Sequence, residues 1–375
     1  MLMKRHLLLL LLLIPCSLLQ ASAKPVTYIW DMSELVALAS KPSSQEYKKI
    51  IQKADDIIKQ KPVAVTDKTT CISGDKHNYE SLATYYWPDP DTPQGPYVSK
   101  DGYTNPEINQ YDFPRLLQLR EACLYLSKAF YLTGELKYYR ALCNQIDTWF
   151  LSKESRMYPN LDYSQVIKGR NNNKGVPGGV LDAYRLVDVI ESVLLADHVK
   201  SIGRKRRKAL RGWLGTLSEW MVESPNGQKA RVMTNNHAIA YSGTLLEIAL
   251  FTKNKSLQQN AIQIFIQNVD TQIDDEGKMP KELSRNNAFT YTIFNLSHII
   301  EVYSMIKSSE YDLPASTITK IQKSALYISS FIGKKETFPY REIGQWESQE
   351  RNLNVVLRRM TQLGLMKQDV KPTPK

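Results

Sequence analysis

This 375-residue chain has five histidines, and one of them stands in a setting that suits chemistry. His237 follows Thr234-Asn235-Asn236 and precedes an apolar run beginning at Ala238, which places it at the start of a helix. Thr234 or Asn235 can cap the first turn. The positive end of the helix disfavours imidazolium, so His237 stays neutral and able to accept a proton. Ordinary capping with a buried ring is the other reading of the same tripeptide. A second polar run, Lys281 to Asn287, precedes another apolar helix, with Asn286 or Asn287 as its natural cap. Arg285 then sits just outside that helix and Tyr291 about one turn inside it. Taken singly, Arg285 is a surface partner of Glu282 and Tyr291 a core ring.

Taken together, an amide pair, a histidine, an arginine and a tyrosine suit β-elimination on a uronic acid. The C5 hydrogen beside a uronate carboxylate is weakly acidic, and it becomes removable when donors neutralise the carboxylate so that negative charge can spread into it. Amides and a guanidinium are such donors. A base then takes the proton, and an acid protonates the glycosidic oxygen at C4 as the bond breaks. Tyr291 serves as acid, and in syn elimination also as base. In anti elimination the base is His237, and the sequence leaves both courses open.

The elements that must position these residues are helices. Leu116, Leu119, Cys123, Leu126 and Phe130 recur at spacings of three and four. Gly134 breaks the run, and a second stripe follows through Tyr138, Leu142, Ile146 and Trp149. The pattern returns at Val180 to Leu194, Ile239 to Leu250, Ile262 to Val269, Phe294 to Tyr303 and Ile318 to Ile328. Strand patterns are scarce. Successive amphipathic hairpins that each expose apolar surface are stable when they stack or close into a ring. The expected fold is therefore an all-α, α/α toroid with a groove at one end. Two long segments, Cys71 to Pro106 and Tyr158 to Gly179, are rich in aromatics and turn formers, and long irregular loops of this kind line functional sites.

Composition excludes the collagenous, cysteine-dense and low-complexity classes, with Gly 17, Pro 18 and hydrophobic content of 42%. Lys4 and Arg5 precede an apolar stretch from Leu7 to Leu13, and Ala21-Ser22-Ala23 offers small residues for cleavage, so residues 1–23 read as a secretory signal. Lipidation at Cys16 is the alternative, opposed by Pro15. Residues 24–375 are expected to form one toroid domain, exported to the periplasm and carrying no transmembrane segment. The formal charge of +11 loses Lys4 and Arg5 with the signal and stays basic. An exported basic protein suits an anionic polysaccharide better than nucleic acid, although Lys205 to Lys208 also read as a solvated helix start. Cys71, Cys123 and Cys143 lack the short paired spacings of a metal or redox site, so neither metal nor cofactor is expected. Cys123 and Cys143 are either bridged or buried free thiols.

In several separated pieces the sequence resembles the alginate lyase family of polysaccharide lyases. These are Gly74-Asp75-Lys76-His77-Asn78-Tyr79, Tyr86-Trp87-Pro88-Asp89-Pro90, Asp101-Gly102 with Asn105-Pro106-Glu107, and Pro159-Asn160-Leu161. Asn235-Asn236-His237 and Glu282-Leu283 with Arg285 and Tyr291 complete the set. The resemblance implies that Asn236 and Arg285 bind and neutralise the uronate carboxylate while His237 and Tyr291 transfer protons. It makes Asn235, His77, Tyr79, Tyr85 and Trp87 candidates for sugar contacts. Ala238 and Ile239 stand where some members have an aromatic, and Tyr241 is the first ring after the histidine. Two other functions fit a grooved toroid. A glycoside hydrolase would use carboxylates such as Asp89, Asp101 or Asp275, and a glycan-binding protein would use the aromatic loops alone.

Overall fold

Local sequence signals start and stop the helices much as their chemistry dictates. The computed structural model describes residues 26–367, so the secretory signal and Cys16 lie outside the described residues. Two N-terminal helices, α1 (Met32–Ala39) and α2 (Gln45–Ile58), begin at Asp31 and Ser44, whose side chains accept N–H bonds from the first turn. Four short strands follow in the loops: β1 (Glu80–Leu82), β2 (Tyr86–Trp87), β3 (Val98–Ser99) and, later, β4 (Tyr163–Val166). β1 pairs with β4 in parallel, and β2 pairs with β3 in antiparallel fashion.

The hairpins form the body. Helix α3 (Phe113–Thr133) ends at Gly134, which takes the left-handed conformation at φ 70°. Helix α4 (Leu136–Ile146) runs on into a π-helical turn, Asp147–Leu151. Next come α5 (Arg185–Val199), α6 (Arg204–Glu223), α7 (Pro225–Ala230), α8 (Asn236–Thr252) and α9 (Lys255–Gln272). The short α10 (Pro280–Leu283) leads into α11 (Ala288–Ser308), α12 (Ala315–Ser329) and α13 (Trp346–Gln362). The stripe expected from Val180 to Leu194 is split, because Pro177–Tyr184 forms a 3-10 segment before α5 begins. Its Pro-Gly-Gly start favours the tighter, less regular turn.

Helices α3, α5, α8 and α11 pack side by side as the inner layer, while α4, α9 and α12 lie behind α3, α8 and α11. This is the expected α/α toroid. Every residue of α8 from Ala238 to Ala249 is buried, as befits a helix enclosed by neighbours on all sides. Gly243 permits that closeness, since a Cβ there would stand 2.8 Å from both Tyr184 and Val302. The N-terminal segment joins the inner layer through Glu191 of α5, whose carboxylate accepts the backbone N–H groups of Tyr28, Ile29 and Trp30 at 2.8, 3.0 and 3.3 Å. Arg359 of α13 donates to Ile29 at 3.1 Å and so ties the last helix to the same segment.

Cys71, Cys123 and Cys143 are free thiols, the latter two buried, so the helical pair is not bridged. Lys205 to Lys208 do open a helix. Two of the cations there are engaged, Arg206 with Asp147 and Arg207 with Asp197. Among the described residues no helix is long and apolar enough to cross a membrane.

Candidate active site

The starts of α8 and α11 come together, and they bring the two polar clusters into one place. Asn235 is the N-cap residue of α8 by backbone conformation, with φ −144° and ψ −174°, but its side chain makes no capping bond. The expected Asn235 side-chain cap is therefore absent. The first backbone N–H of the helix is satisfied from another element instead: Glu282 of α10 accepts from Asn236 N at 2.6 Å. The same carboxylate takes the Asn236 amide nitrogen at 3.0 and 3.1 Å. Asn236 is fully buried, at 0% exposure, so its side chain faces Glu282 and not the open cleft. This differs from the expectation of an amide presented directly to a ligand. The expected surface pairing of Glu282 with Arg285 is also corrected, because Glu282 is buried at 1% exposure and bonds Asn236.

His237 follows in the first turn of α8, half-buried, with Nδ1 enclosed and without a partner. Its ring lies against Gly178, where a Cβ would come within 2.9 Å of both Cε1 and Nδ1. Burial, with the nearby Arg285 charge, pushes the imidazole down to about 4. It is consequently a neutral base at pH 7.

Arg285 is fixed by a carboxylate from the first long loop. Asp101 Oδ1 accepts from Arg285 Nε at 3.0 Å and Nη2 at 2.5 Å, while Oδ2 accepts from Asn286 N at 3.0 Å. The guanidinium carbon sits 3.8 Å from the centroid of the Tyr291 ring and 5.9 Å from that of Tyr85. Such stacking orients the planar group and places its positive charge beside the phenol. The Tyr291 hydroxyl donates to the Tyr85 hydroxyl at 2.6 Å. Burial and the Tyr85 contact raise the Tyr291 phenol well above the ordinary tyrosine range, and Arg285 opposes the rise. Arg285, Tyr291 and Tyr85 thus form one contiguous group, and His237 is close enough to Arg285 to feel its charge.

The other sequence candidates divide. Trp87 lies half-buried on β2, its indole N–H held by the Tyr103 carbonyl at 2.9 Å, and Lys100 sits 5.4 Å from its ring. Tyr79 is a core residue, 1% exposed, with its hydroxyl on Asp182 at 3.0 Å, and is not available to a sugar. His77 turns to the loop before Pro159: Nδ1 meets the Arg156 carbonyl at 2.6 Å and the ring stacks on Tyr158 at 5.1 Å. It makes no contact with the His237 group. Tyr241 is buried, with its hydroxyl on the Met221 carbonyl at 3.0 Å. The hydrolase carboxylates are dispersed. Asp101 is committed to Arg285, and Asp89 closes an exposed turn by accepting from Asp91 N and Thr92 Oγ1, both at 3.0 Å.

Several contributors were missed from the sequence. Asp182 is a buried hub that accepts from Tyr79, Ser81, Ser164 and Gln165, joining β1 to β4 beneath the cleft. Gln165 adopts φ 52°, a left-handed conformation seldom taken by a residue with a side chain, next to this hub and near Gly178. None of these has a local sequence signal, apart from the glycine pair Gly178-Gly179. A cavity of about 740 Å³ shares no lining residue with the His237 group; Trp30, Lys128, Glu301 and Arg359 are among its walls.

The sequence profile of the alginate lyase family matches residues 64–338. Among solved structures, an alginate lyase from Bacteroides ovatus is similar at a TM-score of 0.84 and 34% identity, over 90% of this chain and 92% of that one. Alginate lyase A1-III from Sphingomonas species A1 is similar in fold at a TM-score of 0.58 and 13% identity, over 93% of this chain and 91% of that one. A variant of A1-III complexed with a tetrasaccharide is similar at a TM-score of 0.59 and 14% identity, over 93% and 90% of the two chains. No curated protein sequence matches. Given a profile match that spans most of the described residues and a solved alginate lyase 34% identical across 90% of it, the chain belongs to the alginate lyase family and is a polysaccharide lyase.

Proposed function

We propose that this lyase cleaves a mannuronate-containing or related uronate polymer by β-elimination at the group formed by His237, Arg285, Tyr291 and Tyr85. The observation that carries the reading is the stack of the Arg285 guanidinium on the Tyr291 ring at 3.8 Å, with His237 at the adjoining helix start. Asp101 occupies Nε and one N–H of Nη2 of Arg285. Both N–H groups of Nη1 and the second N–H of Nη2 are then left to meet a uronate carboxylate and draw charge from C5. Tyr291, whose phenol burial keeps protonated, gives its proton to the C4 oxygen. In syn elimination the phenol first releases its own proton to solvent; the phenolate, stabilised by the Arg285 guanidinium, takes the C5 proton and then passes that same proton to the C4 oxygen. In anti elimination neutral His237 takes that proton. Asn236 supports the group from beneath, Asn235 borders it, and Tyr85 and Trp87 offer rings for sugar stacking.

The rest of the reading concerns the setting. Residues 1–23 would direct export to the periplasm, and residues 24–375 would act as one toroid body on an anionic polysaccharide. Neutralisation of the carboxylate by side-chain donors requires no cofactor. The test is incubation of the mature protein with alginate, glucuronan and chondroitin while ultraviolet absorbance of the new C4–C5 double bond is followed. Elimination produces that absorbance. Chain shortening without it means hydrolysis, and binding without shortening means a lectin-like protein.

A further inference from the structure

We infer that Glu282 is a positioning residue for elimination: through Asn236 it fixes where His237 stands relative to Arg285. This rests on the lyase reading above. Three contacts to a single residue carry it, from the backbone N–H of Asn236 at 2.6 Å and from its amide nitrogen at 3.0 and 3.1 Å. His237 is the next residue along α8, and Arg285 lies three residues beyond Glu282, so this one junction spans the two arms of the site. Both partners are inaccessible, at 0% and 1% exposure, which shields the contact from water and makes its loss expensive.

The junction also has a direction. A carboxylate only accepts, so the amide nitrogen must face Glu282 and the oxygen must face away. Asn236 Oδ1 is indeed buried without a partner. Among the described residues nothing else holds the Asn236 side chain, and the Glu282 side chain has no bond other than those to Asn236. Asp101 fixes the far side of Arg285 at the guanidinium itself. Glu282 and Asp101 therefore have separate tasks: Asp101 orients the arginine, and Glu282 sets its spacing from the histidine.

The substitution Glu282→Gln tests this, because it keeps size while replacing one acceptor by an N–H₂ group. The backbone N–H of Asn236 keeps an acceptor, but the two amide nitrogens then oppose each other unless Asn236 turns over. Three quantities are measured on the mature protein: thermal midpoint, kcat and KM on a uronate polymer, and the titration of the His237 imidazole by nitrogen-proton NMR. The imidazole is assigned by its absence in His237→Asn. The expected result is kcat lower by about tenfold or more with KM changed less than about threefold. The His237 titration also moves by about half a pH unit, since its distance from the Arg285 charge changes. Glu282→Asp, which keeps the acceptor pair on a shorter stem, restores part of the rate, and it replaces the glutamine variant in the assay if that variant does not fold. Wild-type kcat together with an unmoved His237 titration overturns the inference. So does a rate loss that only follows the amount of folded protein, with His237 unmoved in the folded fraction. A parent protein that cleaves no uronate polymer sinks the lyase reading instead, and the imidazole titration still decides the positioning role.

Discussion

His237 illustrates how a single side chain acquires its chemistry from its surroundings. Enclosure against Gly178, with Arg285 nearby, lowers its proton affinity, so the base form persists as pH falls to about 4. A linkage and the outcome of a rate measurement follow. Where His237 is the base, log kcat/KM against pH stays level from pH 8 down to about pH 5 and bends near 4; a bend near 6.5 means that the imidazole is not held as described here. His237, Arg285 and Tyr291 were legible because helix starts carry local signatures, namely polar caps followed by apolar periodicity. Asp101 and Glu282 stood out as residues, but the partners they take were not legible. They act across the fold, Asp101 meeting Arg285 from 184 residues away, and no short-range pattern records such a pairing. Tyr79 failed in the opposite sense, since a tyrosine in a polar loop looks exposed until a buried Asp182 claims its hydroxyl.

At the scale of elements, the 3-10 segment Pro177–Tyr184 and the β1–β4 pair form the floor on which the start of α8 rests. Helix periodicity announced the inner and outer helices, and Gly134 announced the turn after α3. The floor escaped notice because its order comes from Asp182, with four side-chain donors on one buried carboxylate, and hydrogen-bond hubs have no sequence period. The floor is also where the site is least tolerant of added volume. Gly178→Ala puts a methyl group 2.9 Å from the His237 ring, so the ring must tilt or α8 must shift. The expected outcome is a kcat about tenfold lower with a thermal midpoint only a few degrees changed. Steady-state kinetics beside a melting curve checks it, and an unaltered kcat would show that the ring does not depend on that contact.

The whole molecule encloses several acids in its inner layer. Glu191 on α5 and Glu247 on α8 are buried and Glu301 on α11 is half-buried; burial raises each carboxyl, Glu191 and Glu301 to about 7 and Glu247 well above the ordinary carboxylate range. Glu247 has no hydrogen-bond partner at either oxygen. Groups raised above their unfolded values hold protons that the unfolded chain has lost. Their contribution is complete below the unfolded value and declines as pH rises toward the folded one, by about 1.4 kcal/mol per pH unit for each such group. Glu247→Gln removes one of these titrations. The variant should gain thermal stability over the parent at pH 8 and show a smaller difference at pH 5, as read by calorimetry; equal differences at the two pH values would contradict a protonated Glu247. That the body is a ring of helical hairpins was readable from hydrophobic spacing. That Glu191, Glu247 and Glu301 sit within the inner layer was not, because Glu at one position per helix looks like any solvent-facing residue until the ring is assembled.

The central claim is that the phenol of Tyr291, set against Arg285, transfers the proton that breaks the polymer. Its most direct measurement compares the parent with Tyr291→Phe in unsaturated-product absorbance on alginate, alongside oligosaccharide binding by calorimetry. The predicted result is elimination slowed by about 1000-fold or more with binding retained. Cleavage by the phenylalanine variant at the parent's rate would contradict the account.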